Sequence, residues 1–314
     1  MTISAGITRP TRRAPWLRDL VARHPVAAFL TMVFAVNIPI ACVPVLTRHD
    51  VLPVADMPLH GILGPILGVA LPAFLVVAAI GGRAGVRELA SRCLRWRVGL
   101  RWYLVALLSV PIAALACAAA VFGGELVDVL GSRWTQLFTS VLPQLVVLIV
   151  FAIVAEEIGF MGFLQARWQD RFGPLKASAL VTVPFALYHL PGLIVDSHLG
   201  LSKIFLILVY LTVLAALQMF GRIVMMWLYN VTGSSVLLVG LWHSSFDATT
   251  TAFGRTFAIA GPVWKAEVAG FWIPSAVIVM FALLAVALTR GRLGCRGRWG
   301  RGRYSGPETS AAGA

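Results

Sequence analysis

The 314-residue chain is predicted to be all-α, a polytopic transmembrane helix bundle of about eight spans. Three observations predict this. First, hydrophobic residues make up 59 % of the chain and charged residues only 12 %. The mean hydropathy is +0.86, and a soluble domain with roughly one-quarter charged residues looks nothing like it. Second, runs near the ~20 apolar residues that cross a bilayer recur along the whole length. Third, the basic residues alternate with those runs. All but five of the 26 Lys and Arg (Arg48, Arg133, Lys203, Arg255 and Lys265) fall in segments that an even span count puts on one side.

Taken in order, the spans are expected at 27–46, 61–80, 102–122, 138–160, 177–191, 203–220, 234–252 and 268–289. Arg9, Arg12, Arg13, Arg18 and Arg23 precede the first run. No small-residue cleavage site follows it, so it reads as a retained span and not a signal peptide. The other inner segments carry Arg83 to Arg101, then Arg167, Arg171 and Lys176, then Arg222, then Arg290 to Arg303. The positive-inside rule therefore predicts an integral protein of the plasma (inner) membrane with both termini cytoplasmic.

Residues 1–134 read as N-terminal membrane helices with a basic amphipathic connector at 81–101. Its Trp96 and arginines suit the inner leaflet surface. Residues 135–252 form a core region, 253–289 a final transmembrane helix, and 290–314 a disordered basic tail. The tail is rich in Gly, Arg and Ser with almost nothing to bury. Directly after a span, such a tail anchors to anionic headgroups. The net charge of +13 thus points to the lipid bilayer as partner and not to nucleic acid. Cys42, Cys93, Cys117 and Cys295 show no metal-ligand spacing. The absence of internal repeats argues against a repeat-built transporter.

Four polar clusters interrupt the apolar second half: AEEIGFMG at 155–162, PFALYHLPG at 184–192, WLYNVTGSS at 227–235 and GLWHSSFDA at 240–248. Glu156 and Glu157 are adjacent carboxylates in membrane-like sequence, and such groups are costly enough to mark a function by default. Neighbours on a helix point about 100° apart, so one should face a site while the other pairs elsewhere, with a basic or hydroxyl group. His189 sits where Pro191 and Gly192 should end a helix. His243 and Asp247 are four apart and share a face.

Singly, each residue has a plain structural reading: a hydrogen-bonded packing histidine, an aromatic (Phe185) stacked under an imidazole, an acid holding a tautomer. Together they suit water activation by a carboxylate, with two imidazoles to stabilise an oxyanion or to share a metal. The HExxH, GxGD and GxSxG signatures of other hydrolases are absent. A cation-coupled transporter would use the same residue types.

The order EExxxxG, FxxxH, YNxTGS and HxxxD, over about 135–250, resembles the CPBP family (CAAX protease and bacteriocin-processing, also called Abi) of intramembrane proteases. The resemblance implies a CAAX-protease-like core and an endopeptidase acting on a membrane-tethered peptide or protein. By the same resemblance Glu156 activates water, Glu157 supports it, and His189 and His243 complete the site. Asp247 orients His243.

Two positions depart from the family pattern. An arginine is usual where Met161 stands, and an asparagine where Asp247 stands. They leave open a non-catalytic scaffold or assembly factor of the same family. No cofactor is preferred, with zinc as the alternative. Depth poses a further question: Glu156 and His189 meet only if the fourth helix runs past 160, or if the fifth ends within the membrane.

Overall fold

The structure, a computed structural model, describes residues 15–48, 66–196 and 204–295. Arg9, Arg12 and Arg13, the starts of the spans expected at 61 and 203, and the tail from 296 onward lie outside the described residues. Within them all regular structure is helical, as the composition predicts.

The helices are α1 (Pro15–Arg23), α2 (Pro25–Arg48), α3 (Ile66–Cys93), α4 (Leu100–Phe122), α5 (Gly124–Arg133), α6 (137–172), α7 (Pro174–Asp196), α8 (Ile204–Val231), α9 (Val236–Thr251) and α10 (Val263–Thr289). By length and apolar content α3, α4, α8 and α10 can each cross a membrane. Two pairs bent at a short break, at the α1–α2 and α5–α6 junctions, raise the number to six. The expected eight is not reached among the described residues. One reason is visible in α9, where His243, Ser244, Ser245, Asp247 and three threonines dilute the apolar run within 16 residues.

Several boundaries differ from expectation. The connector at 81–101 is not a loop throughout: α3 continues to Cys93 through a kink at Gly82, whose φ of 57° suits a residue without Cβ. Arg222 was expected in an inner loop, yet α8 runs on to Val231 and carries it inside the bundle. The helix does not end at Pro191 and Gly192 but continues to Asp196. A proline removes one backbone bond, and α7 is held by packing against α8 and α2. Residues 290–295, counted with the tail, fold back so that Leu293 is fully buried. Asn230 donates to the Leu293 carbonyl at 2.9 Å and so satisfies that turn.

α6 occupies the centre. Its middle, Phe151–Gln165, is a π-helix that packs against α3, α7 and α9. The main core is built from Phe29 and Val33 of α2, Val69 of α3, Phe160, Met161 and Leu164 of α6, and Leu238 and Trp242 of α9. At the opposite end of α6, Gln169 and Asn230 exchange amide hydrogen bonds of 3.0 and 2.8 Å, tying α6 to α8. α9 starts from a tight turn in which Gly233 and Ser234 have positive φ. Ser235 then caps it, accepting from Leu238 N at 3.2 Å.

Candidate active site

Glu156 and Glu157 lie in the π-helical middle of α6. In a π-helix the backbone bonds run from i to i+5, which widens the turn, and such stretches recur at functional sites. Because α6 continues beyond 160 to Phe172, the glutamates reach the level of the histidines. Both are buried, Glu156 at 5 % exposure and Glu157 at 0 %.

His243 on α9 meets both. Its Nδ1 lies 2.9 Å from Glu157 Oε1 and 3.9 Å from Glu156 Oε2. Its Nε2 lies 3.5 Å from Asp247 Oδ2, one turn further along α9. That separation is long for a direct hydrogen bond. Asp247 is more open than the rest, with 37 % of its side chain exposed.

His189 on α7 approaches Glu156 from another side, with Nε2 at 3.8 Å from Oε1. Its Nδ1 is 2.8 Å from the Phe185 carbonyl oxygen. A carbonyl only accepts, so Nδ1 carries a proton, and Nε2 is turned towards Glu156. The Phe185 ring packs edge-on against the imidazole, centroids 4.5 Å apart. The aromatic contact expected beneath the imidazole is thus present, edge-on and not stacked.

The expectation that one glutamate would face the site and the other pair elsewhere is met in an unexpected way, since Glu157 does both. Its Oε1 accepts from His243 and its Oε2 accepts from Arg222 at 2.8 Å. Arg222 is 1 % exposed. Its guanidinium lies 3.8 Å over the Phe185 ring and 5.7 Å from that of Phe160.

Sequence reasoning missed this residue because a single arginine at the end of an apolar run looks like a loop cation. The available signal was its context, QMFGRIVMMWL, which is apolar on both sides. A cation so flanked asks for an intramembrane acid. Met161, one turn beyond Glu157, is fully buried and apolar. The third cluster does not join the carboxylates: Asn230 is engaged with Gln169 and Leu293.

Ligand atoms of Glu156, Glu157 and His243 lie within 4.8 Å of one another, a spacing that suits three ligands of one metal ion. Two of the three are already engaged, however. Both Glu157 oxygens and His243 Nδ1 are in short hydrogen bonds, and a cation there would have to displace them beside the Arg222 charge.

No curated protein matches the chain. Residues 138–249 match the family model described as type II CAAX prenyl endopeptidase Rce1-like, and over that stretch, which holds both glutamates and both histidines, the resemblance to the CPBP family holds.

Proposed function

We propose that this membrane protein is an endopeptidase that hydrolyses peptide bonds of membrane-associated proteins or peptides, with Glu156 as general base. The observation that carries the reading is the 3.8 Å separation of Glu156 Oε1 and His189 Nε2. With Nδ1 donating to Phe185, the imidazole in its neutral form offers a second acceptor opposite the carboxylate. One water donates to both and keeps its oxygen lone pairs free.

Glu156 takes a proton from that water as its oxygen bonds to the substrate carbonyl carbon. The carbonyl π pair moves to oxygen, and the oxyanion forms on the side of His243 Nε2, which donates to it when both ring nitrogens are protonated, beside the more open Asp247. Collapse breaks the C–N bond, and Glu156 passes its proton to the leaving nitrogen. The products are a carboxylic acid and an amine. Glu157 supports His243 and Asp247 orients it. Both termini are read as cytoplasmic, in the plasma (inner) membrane, from the distribution of basic residues.

The test uses a quenched-fluorescent, farnesylated CAAX peptide and a panel of single-span membrane peptides, with purified protein in liposomes. Cleavage by the wild type is expected, reduced about 10²–10⁴-fold in Glu156→Gln. Near-normal turnover in that variant would remove Glu156 from its role. A folded wild type that cleaves none of the panel would leave the non-catalytic scaffold in its place.

A further inference from the structure

Glu157 is fully buried and ionic, and it has two hydrogen-bond partners that reach it from different helices. On its own helix the simplest place for a counter-ion is one turn on, and that place holds buried Met161. The cation comes instead from α8. We infer that Arg222 is a positioning residue of the site: acting through Glu157, it fixes the ring of His243 and the proton at its Nδ1. This rests on the endopeptidase reading for its effect on turnover, but not for its effect on the imidazole.

The geometry makes the coupling direct. A carboxylate is planar, so a bond to Arg222 at Oε2 sets where Oε1 lies, and Oε1 receives His243 Nδ1–H. An acceptor fixed at Nδ1 keeps a proton there and leaves Nε2 on the Asp247 side. Arg222 is itself held at both ends. Its carbonyl accepts from Gln165 Nε2 of α6 at 3.2 Å and from Ser178 Oγ of α7 at 3.3 Å. Its guanidinium carbon lies 3.8 Å from the centroid of the Phe185 ring, and the Phe185 carbonyl holds His189. Arg222 therefore touches α6 and α7 directly and reaches α9 through Glu157. Without it, Glu157 is free to turn about its own χ angles, and His243 Nδ1 has no fixed acceptor.

The experiment reads the proton at His243 Nδ1 by 15N NMR of imidazole-labelled protein in detergent, with peptide turnover alongside. The wild type is expected to show Nδ1 protonated and hydrogen-bonded. Arg222→Lys should keep it, because it keeps the charge. Arg222→Gln should weaken or lose that Nδ1–H hydrogen-bond signature and lower kcat by at least about tenfold, with KM little changed, as for loss of an interaction that serves the transition state.

A folded Arg222→Gln with the wild-type Nδ1–H signature would overturn the inference. Should that variant not fold, the pair Arg222→Met with Glu157→Gln leaves no unpaired ion and decides the matter against Glu157→Gln alone. If Arg222 acts through Glu157, the double variant matches the single one in Nδ1–H signature and turnover. A further drop of about tenfold or more would show that it acts by another route. If no variant and no wild type cleaves peptide, the endopeptidase reading fails while the NMR arms still decide the role of Arg222.

Discussion

A Cβ built on Gly159 would sit 2.4 Å from Val69 Cγ1 and 3.0 Å from Phe29 Cζ, so α6 touches α3 and α2 with no room for a methyl group. Gly159 lies in the same π-helical segment as the glutamates, three residues after Glu156. Any relief of that clash therefore moves the segment that carries the proposed base.

Gly159→Ala is expected to destabilise the protein by about 1–3 kcal/mol, the usual cost of overpacking a core. Peptide turnover should fall as well. Gly131→Ala serves as control, since its Cβ meets nothing within 4 Å, and should be neutral or slightly stabilising. Thermal unfolding in detergent checks both.

Asn230 links α6 to α8 and holds the returning segment at Leu293. Asn230→Ala leaves the Leu293 carbonyl and the Gln169 amide without this partner. The expected cost is about 1–3 kcal/mol. Limited proteolysis should show earlier cleavage near 290–295 than in wild type, whereas an unchanged pattern would mean that Leu293 alone holds the segment.

Metal removal gives a third prediction. Because Glu157 and His243 Nδ1 are already hydrogen-bonded, exhaustive chelation is expected to leave both unfolding temperature and turnover within experimental scatter of the untreated protein. Stoichiometric zinc, with activity lost on its removal and restored on its return, would contradict this.

The exposed rim after α3 gives the fourth. Leu94, Trp96 and Leu100 are 73 %, 61 % and 72 % exposed, and Arg97 stacks on the Trp96 ring at 5.2 Å. This is the composition of an interfacial anchor. Arg95 donates to the Gly233 carbonyl and Ser235 donates to the Arg95 carbonyl at 2.7 Å, so the anchor is fastened to the start of α9. Lipids brominated near the headgroup should quench more fluorescence in wild type than in Trp96→Phe. Equal quenching would place Trp96 away from the interface.

Much of the fold was legible because its cause is local. Long apolar runs force helices in a solvent that cannot satisfy backbone groups, and the composition announced such runs without any contact being known. The candidate residues were legible for a similar reason. Glu156, Glu157, His189, His243 and Asp247 stand out because a polar side chain is costly among apolar neighbours, and that cost is visible in the order of residues alone.

What lies between the helices was not legible. An apolar run reads the same whether its turns close at i+4 or i+5, so nothing in FAIVAEEIGFMGFLQ announced a π-helix. Arg222 looked like a loop cation because its acid lies 65 residues earlier in the chain, and a linear reading carries no distance between them. Pro191 predicted a helix end that packing against neighbouring helices overrode. Sequence alone determined which residues must be hidden from lipid. Depth, rotation and mutual contact of the helices, which only tertiary packing sets, decided that Glu157 answers to both Arg222 and His243.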